Sequence, residues 1–326
     1  MNMKAKNKNL TKISERSDTD GDISVSVIVD TFNHEKYISE ALESILSQKV
    51  DFNVEILVHD DCSKDGTTEI IKKYAKKYPS IVKPLFEKEN QFSKGIEIDA
   101  TFNYPRIKGK YVAMLEGDDV WIDDNKLFKQ FNFLEKHTKI SAYIAKTIRF
   151  NMRDNKFGYY GMAKGCFSRY FTLKDLINGK DFSVSSILAR KEFFMPPFPE
   201  FLNFFAGFTD IQLGFYFALR NKIYYDCKPM SMYRQYSGPN SFTSTFSLLS
   251  NEKKLKTYRN RITVLELLQK ECPKKYLANL KKRIKSEKFS ILILKKDEIA
   301  LKSKEYRMLY YKRKWYNAIK KILHLK

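Results

Sequence analysis

Residues 115–125 read LEGDDVWIDDN, with four aspartates, one glutamate and no Lys or Arg, in a chain that carries 60 Lys and Arg against 38 Asp and Glu. Carboxylates this close repel one another, and a hard cation among them removes the repulsion. The adjacent pair Asp118 and Asp119 can divide two tasks, one gripping a divalent ion and the other accepting a hydrogen bond from a sugar hydroxyl. Oxygen ligands select Mg2+ or Mn2+, and such an ion would neutralise a departing diphosphate. A second acidic stretch, HDDCSKDGT, sets Asp60 and Asp61 before an Asp-Gly turn, where a carboxylate can accept hydrogen bonds from a base or ribose and a helix N-terminus favours anions. A third acid, Asp210, follows Thr209 at the start of an apolar helical segment. Asp65, Thr67, Asp123 and Asp124 read as helix-start residues. None of the four histidines sits in a ligand motif, so all four read as ordinary polar residues.

The elements around these acids are legible in the apolar spacing. ISVSVIVDTF, NVEILVHDD, IVKPLF and GKYVAMLEGDD read as strands, and EKYISEALESILSQ and TTEIIKKYAKKY between them as amphipathic helices. Strands alternating with helices imply an α/β fold with a mostly parallel sheet, flanked by helices, whose ligands bind at the carboxyl ends of the strands. DTFNHE, HDDCSKDGT and EGDDVW all fall at such ends and should meet. Further on come a helix (KLFKQFNFLEKH), strands (ISAYIAKTIRF and the strand-like FSVSSILAR), a helix opened by Thr209 and Asp210, and the strand KIYYDCKPMSMYR. Residues 1–22 are polar and aperiodic and read as a mobile tail, 23–248 as the α/β domain, and 249–326 as a basic helical region.

In this order, TFN, HDDCSKDGT, GKYVAMLEGDDVW, a lone acid opening a helix, and MSMYR resemble the family 2 glycosyltransferases, over roughly residues 23–240. The resemblance is strongest to the subgroup with EGDD followed by an aromatic residue. It implies an inverting enzyme of the Rossmann-like GT-A fold, moving a sugar from a nucleotide-diphosphate sugar, expected to be UDP-linked, to a hydroxyl of a glycan or lipid-linked glycan in surface polysaccharide or glycoconjugate assembly. It further implies that Thr31 and Phe32 border the nucleotide base, Asp61 holds the base, Asp118 the ribose and Asp119 the metal, with Asp210 as the general base that takes the proton of the attacking hydroxyl and Asp226 as the next candidate for that work. Three positions depart from the family pattern: Asp30 stands where Pro is common, Thr209 where Glu or Gly is usual, and Tyr236 where many relatives have His. Arg234 could replace that His as a phosphate contact.

Charge is concentrated. Residues 251–326 hold 24 Lys and Arg against 7 Asp and Glu, so 17 of the net +22 lies there. The final stretch, YRMLYYKRKWYNAIKKILHLK, alternates apolar and basic residues at helical spacing, a pattern suited either to a helix packed on the α/β domain with a solvated basic face or to an anionic membrane surface. No helix-turn-helix, zinc-finger or RNA-binding signature supports a nucleic-acid partner. The four cysteines lack CxxC spacing, and the chain has neither a signal-type apolar segment nor a twenty-residue apolar run. A cytoplasmic protein is the expectation, peripheral on the inner face of the cell membrane if the tail binds lipid. Two other classes fit less well. A nucleotidyltransferase would want a glycine-rich, lysine-containing phosphate loop after the first strand, and DTFNHEKY is not one. A non-catalytic glycan or nucleotide-sugar binding module would not need Asp61, Asp118, Asp119 and Asp210 together.

Overall fold

Branched side chains suit the pleated, buried environment of a sheet interior, and in a computed structural model of the chain the run ISVSVIVDT lies inside a sheet with Val25, Val27 and Val29 fully buried. The structure describes residues 10–16, 21–161, 167–204, 209–238, 244 and 248–322. They fall into two units, Met1–Thr245 and Phe246–Lys326.

The first unit runs β1 (Thr11–Lys12), β2 (Ile23–Thr31), α1 (Ile38–Leu46), β3 (Lys49–Val50), β4 (Asn53–Asp60), α2 (Thr67–Lys77), β5 (Val82–Phe86), β6 (Tyr111–Glu116), β7 (Val120–Trp121) and α3 (Lys126–Lys136). It continues with β8 (Ile140–Asn151), β9 (Lys156–Tyr159), β10 (Arg169–Phe171), α4 (Leu173–Ile177), β11 (Leu188–Arg190), α5 (Glu200–Asn203), α6 (Thr209–Arg220) and β12 (Lys222–Gln235). Along the main sheet the order is β10-β12-β8-β11-β6-β2-β4-β5. β2 is parallel to both β4 and β6, and β4 to β5, so their carboxyl ends share one edge. The stripe on α1 buries Ile38, Ala41, Leu42, Ile45 and Leu46 against this sheet, each isoleucine and leucine worth about 1.5–3 kcal/mol when fully removed from water. At the opposite end Gly109 lets β6 approach β2: a Cβ there would lie 2.4 Å from the Ser26 backbone nitrogen.

Two expectations are corrected. Residues 1–22 do not all lie outside the fold, because β1 pairs with β3, Ile13 is 1% exposed within the main core, and its N–H donates to the Gln48 carbonyl at 3.0 Å. Burial of one isoleucine and a short ladder hold a polar stretch that has no periodicity of its own. FSVSSILAR is not a continuous strand, since Val184–Ser186 form a 3-10 turn before β11. Its serines satisfy the backbone locally: the Ser183 hydroxyl accepts from the Ser185 N–H, and the Ser186 hydroxyl donates to the Ser183 carbonyl.

The second unit consists of α7 (Asn251–Leu268), α8 (Leu277–Lys295), α9 (Glu298–Lys302) and α10 (Arg307–Ile322). Ser250 caps α7 by accepting from the Lys253 N–H, and Lys296 closes α8 in the left-handed region at φ 57°. Phe289, Leu301 and Tyr306 form a small core joined by Leu292, Ile293, Leu309 and Tyr310. Among the described residues no helix is long and apolar enough to cross a membrane.

Candidate active site

The parallel register sets Asp30 beside Glu116, and Thr31 beside Asp60, at the shared carboxyl edge. The chain then leaves β2 and β4 in loops that cross-brace. Asp60 is a turn former, accepting from the Ser63 N–H and hydroxyl and from the Thr68 hydroxyl. Asp61, 5% exposed, aims its carboxylate at the main-chain N–H groups of Gln91 (2.7 Å) and Phe92 (3.1 Å), so it fixes the loop that follows β5. Its own N–H donates to the Thr31 carbonyl at 3.0 Å. Phe32 is half-buried next to it.

The EGDD turn is held from several sides. β7 pairs with β12, bringing the end of a strand more than a hundred residues later onto the turn. Asp119 is fully buried; one carboxylate oxygen accepts from the Ser185 hydroxyl at 2.6 Å and the other from the Arg234 N–H at 3.0 Å. Asp118 accepts from the Ser237 hydroxyl at 2.5 Å and lies 3.9 Å from His34 Nε2. The Arg234 side chain, expected at a phosphate, is instead spent inside the fold: Nη1 donates to the Asp118 carbonyl at 2.8 Å, Nη2 to Glu40 at 2.6 Å, and the guanidinium lies over the Tyr37 ring. Burial at 5% exposure favours these fixed acceptors over a mobile anion. Trp121 belongs to the core, its Nε1 donating to the Ser185 carbonyl with the buried Lys126 ammonium 4.1 Å from its ring. Burial pushes that lysine well below its ordinary pKa.

Gly117 is needed at the centre of the turn, because a Cβ there would stand 2.8 Å from His34 Nδ1 and from Thr31 Cβ and Oγ1. Both of those polar atoms are buried without a hydrogen-bond partner. Asp210 lies in the first turn of α6, half-buried, and its Oδ1 accepts from the Ile211 N–H at 2.8 Å. Its charge reaches the site: burial first, then Asp118, Asp119, Asp99 and Asp210, raise the Glu116 carboxyl well above the ordinary glutamate value. Asp226, the alternative base, accepts from the Tyr143 hydroxyl at 2.5 Å and sits eight residues before Arg234 on β12, roughly 26 Å back along the strand. The Thr209 side chain and Cys166 lie outside the described residues.

A divalent ion is tested by this donor set. Among the described residues no three His, Cys, Asp or Glu side chains converge as ligands, so the chain offers no closed cage. The acids nonetheless raise one another's affinity for protons, which a cation would reverse, and hard ions are commonly held by one or two carboxylates together with substrate phosphate. The residues therefore fit an ion shared with a diphosphate.

Sequence reasoning did not name Ser185 or Ser237, and it read His34 and His59 as ordinary polar residues of the active-site loops. His34 faces Asp118; His59, fully buried, lies 3.4 Å from Glu87 and 3.9 Å from Asp30, and burial lowers its pKa. Both histidines stand inside DTFNHE and HDDCSKDGT, whereas the serines carry no local signal.

The sequence model of Glycosyl transferase family 2 matches residues 26–195, more than half of the 326-residue chain. A Mycobacterium tuberculosis protein of uncharacterized role is 37% identical over 120 residues, 36% of this chain and 33% of that protein. Bacillus subtilis TuaG, described as a glycosyltransferase of teichuronic acid biosynthesis, is 36% identical over 110 residues, 34% of this chain and 41% of TuaG. The chain thus spans about a third of the length of the mycobacterial relative it matches. Among solved structures, S. aureus TarS 1-349 in complex with UDP-GlcNAc aligns with a TM-score of 0.56 at 20% identity, over 75% of this chain and 66% of that one. The likeness is one of fold, GT-A in type. Because that family's model matches more than half of its length, a region that includes the carboxyl ends of β2, β4 and β6, the chain belongs to glycosyl transferase family 2.

Proposed function

We propose that the protein transfers a sugar from a UDP-linked donor to a hydroxyl of a glycan or lipid-linked glycan acceptor, with inversion, in the assembly of a surface polysaccharide or glycoconjugate. The observation that carries this reading is the EGDD turn at the carboxyl edge of the sheet in a family 2 chain, with Asp118 and Asp119 oriented by Ser237, Ser185 and the Arg234 N–H. The UDP-GlcNAc bound by TarS supports a nucleotide-sugar donor, and the teichuronic acid role of TuaG supports a surface polymer.

In this reading Thr31 and Phe32 border the base. Asp61, whose carboxylate has lone pairs beyond those given to Gln91 and Phe92, holds the base. Asp118 takes the ribose. Asp119 would hold Mg2+ or Mn2+ with the donor diphosphate, and the ion when bound would offset the charge that builds on the leaving group. Asp210 accepts the acceptor's proton as its oxygen attacks the anomeric carbon from the side opposite the diphosphate; the carbon–diphosphate bond breaks and the configuration inverts. Tyr160, whose hydroxyl is raised far above its ordinary value by burial and by Asp210 and Asp181, stays neutral in that field.

A screen of UDP-sugars with Mn2+, followed by NMR of the new anomeric proton, tests the reaction. Asp210→Asn keeps its side-chain size and should lower kcat about 10²-fold or more while leaving donor affinity in place. Near-normal turnover in that variant would remove Asp210 from the chemistry, and full activity in excess EDTA would remove the metal.

A further inference from the structure

α10 reads RMLYYKRKWYNAIKKI and contains no acid. One side of it is accounted for, since Leu309 and Tyr310 pack on Phe289, Leu301 and Tyr306. The other is not: Met308 is 83%, Tyr311 59% and Trp315 68% exposed. These three stand at i, i+3 and i+7, one stripe of a helix. With Arg307 and Lys312 they line a shallow hollow of about 620 Å³, and Lys312, Arg313 and Lys314 are all exposed beside it.

We propose that this face of α10 docks on an anionic phospholipid bilayer, with the helix lying in the plane of the surface. Met308, Tyr311 and Trp315 would sink to the headgroup–acyl boundary, and Arg307, Lys312, Arg313 and Lys314 would face lipid phosphates. The choice of occupant rests on three features. An apolar stripe flanked by cations matches a surface that is apolar beneath and anionic above. Trp and Tyr suit that boundary because one end of each ring system is apolar and the other wet. A second copy of the chain is disfavoured by charge, as residues 251–326 carry a surplus of 17 positive charges that would meet their like. A soluble polyanion would satisfy the cations and leave Met308 and Trp315 in water. Among the described residues no helix can span a bilayer, which leaves the surface-bound mode for this segment. The face shares no residue with the candidate active site, so it goes beyond the proposed transfer and stands or falls separately.

The full chain carries a convenient reporter. Of its two tryptophans, Trp121 is 4% exposed with its Nε1 bonded at 2.8 Å, so it is a constant background, whereas Trp315 faces solvent. Titration with phosphatidylcholine vesicles containing about a third phosphatidylglycerol should shift tryptophan emission to the blue, and pure phosphatidylcholine should not. The shift should vanish in Trp315→Phe while sedimentation with the vesicles persists. The triple change Lys312→Ala, Arg313→Ala, Lys314→Ala should weaken sedimentation roughly 100-fold, at about fivefold per basic residue, and rising salt should do the same. Met308→Ser with Tyr311→Ser should weaken binding at fixed charge; should that pair disturb folding by circular dichroism, quenching of Trp315 in the unaltered chain by bromine-labelled acyl chains reads insertion directly. Four results would overturn the proposal: no binding to the anionic vesicles, binding without a Trp315 shift or quenching, equal binding to soluble polyphosphate with the same emission shift, or burial of Trp315 by self-association in the absence of lipid.

Discussion

Each carboxylate oxygen of Asp119 accepts one hydrogen bond in the folded chain and keeps a further lone pair. Ser185 and the Arg234 N–H hold one each, so the direction of this carboxylate is set by partners 66 and 115 residues away. Removing the serine hydroxyl leaves a buried acceptor short of a donor, which costs about 1–3 kcal/mol. Ser185→Ala should therefore lower kcat/KM by about tenfold, shift the Mn2+ dependence to higher concentration, and be rescued by Ser185→Thr if the methyl fits; a metal titration of activity reads all three. Asp30 makes a different prediction. Burial, then Glu116, push its carboxyl up to about 8, with Asn103 acting in the opposite sense. Asp99 beside it is likewise raised by burial and by Asp30. An acid whose folded pKa exceeds its unfolded one binds more protons when folded, so its favourable contribution is complete below about pH 4 and is lost as pH rises towards 8. Asp30→Asn keeps a side chain for Asn103 to contact and should stabilise the protein at pH 8, with the gain vanishing near pH 4. Because 26% of the Asp30 side chain remains in solvent, a gain of about 1–2 kcal/mol is expected rather than the full linkage value. Urea melts at the two pH values measure the difference, and a gain that is equal at both would remove the proton from the account.

At the scale of elements, three parallel strands suffice to gather DTFNHE, HDDCSKDGT and EGDDVW, but β12 completes the site. Its carboxyl end pairs with β7 and supplies Arg234 and then Ser237 to the two aspartates. Arg234 is thus a clamp between α1, through Glu40, and the EGDD turn. The segment at the N-terminus is the other element whose role emerges only in three dimensions. Ile13 sits in the same core as Val25 and α1, so Ile13→Ala should cost about 2–4 kcal/mol, the range for a large-to-small change in a packed core. Equilibrium unfolding of the variant decides it: a loss under about 0.5 kcal/mol, the range of an ordinary surface substitution, would return the segment to the status of a loose tail.

For the molecule as a whole, the proposed donor and the ion bind only the folded state, so they must raise its stability. At a UDP concentration near 100 times its dissociation constant the gain is about 2.7 kcal/mol, which should move the melting temperature of the first unit by roughly 5–10 °C. EDTA should reduce the shift if the diphosphate is bound through a metal, and leave the melting of the protein without UDP unchanged. Differential scanning calorimetry with and without chelator separates the two contributions. A shift insensitive to EDTA would assign the diphosphate to protein donors alone.

Local rules governed what the sequence could determine. β-branched runs, the α1 stripe and the Asp-Gly turn each report their conformation through neighbours within a few residues, and strand–helix alternation then puts the strand ends on one edge. This made the α/β sheet and the gathering of Thr31, Asp61 and Asp118 legible in the sequence, while the family was legible only through the resemblance of its ordered motifs. Long-range pairing decided the rest. Nothing near Ser185 or Ser237 in the sequence marks either as the partner of an aspartate, and Arg234, read as a phosphate contact, gave no sign of the clamp it forms, because what each does depends on β12 lying against β7 and on a 3-10 turn beside Asp119. Ile13 was hidden for the same reason, a lone apolar residue in a polar stretch whose partner strand lies beyond α1. A carboxylate is legible from its type and spacing; the donors that aim it come from wherever the chain returns, and only the tertiary structure decides where that is.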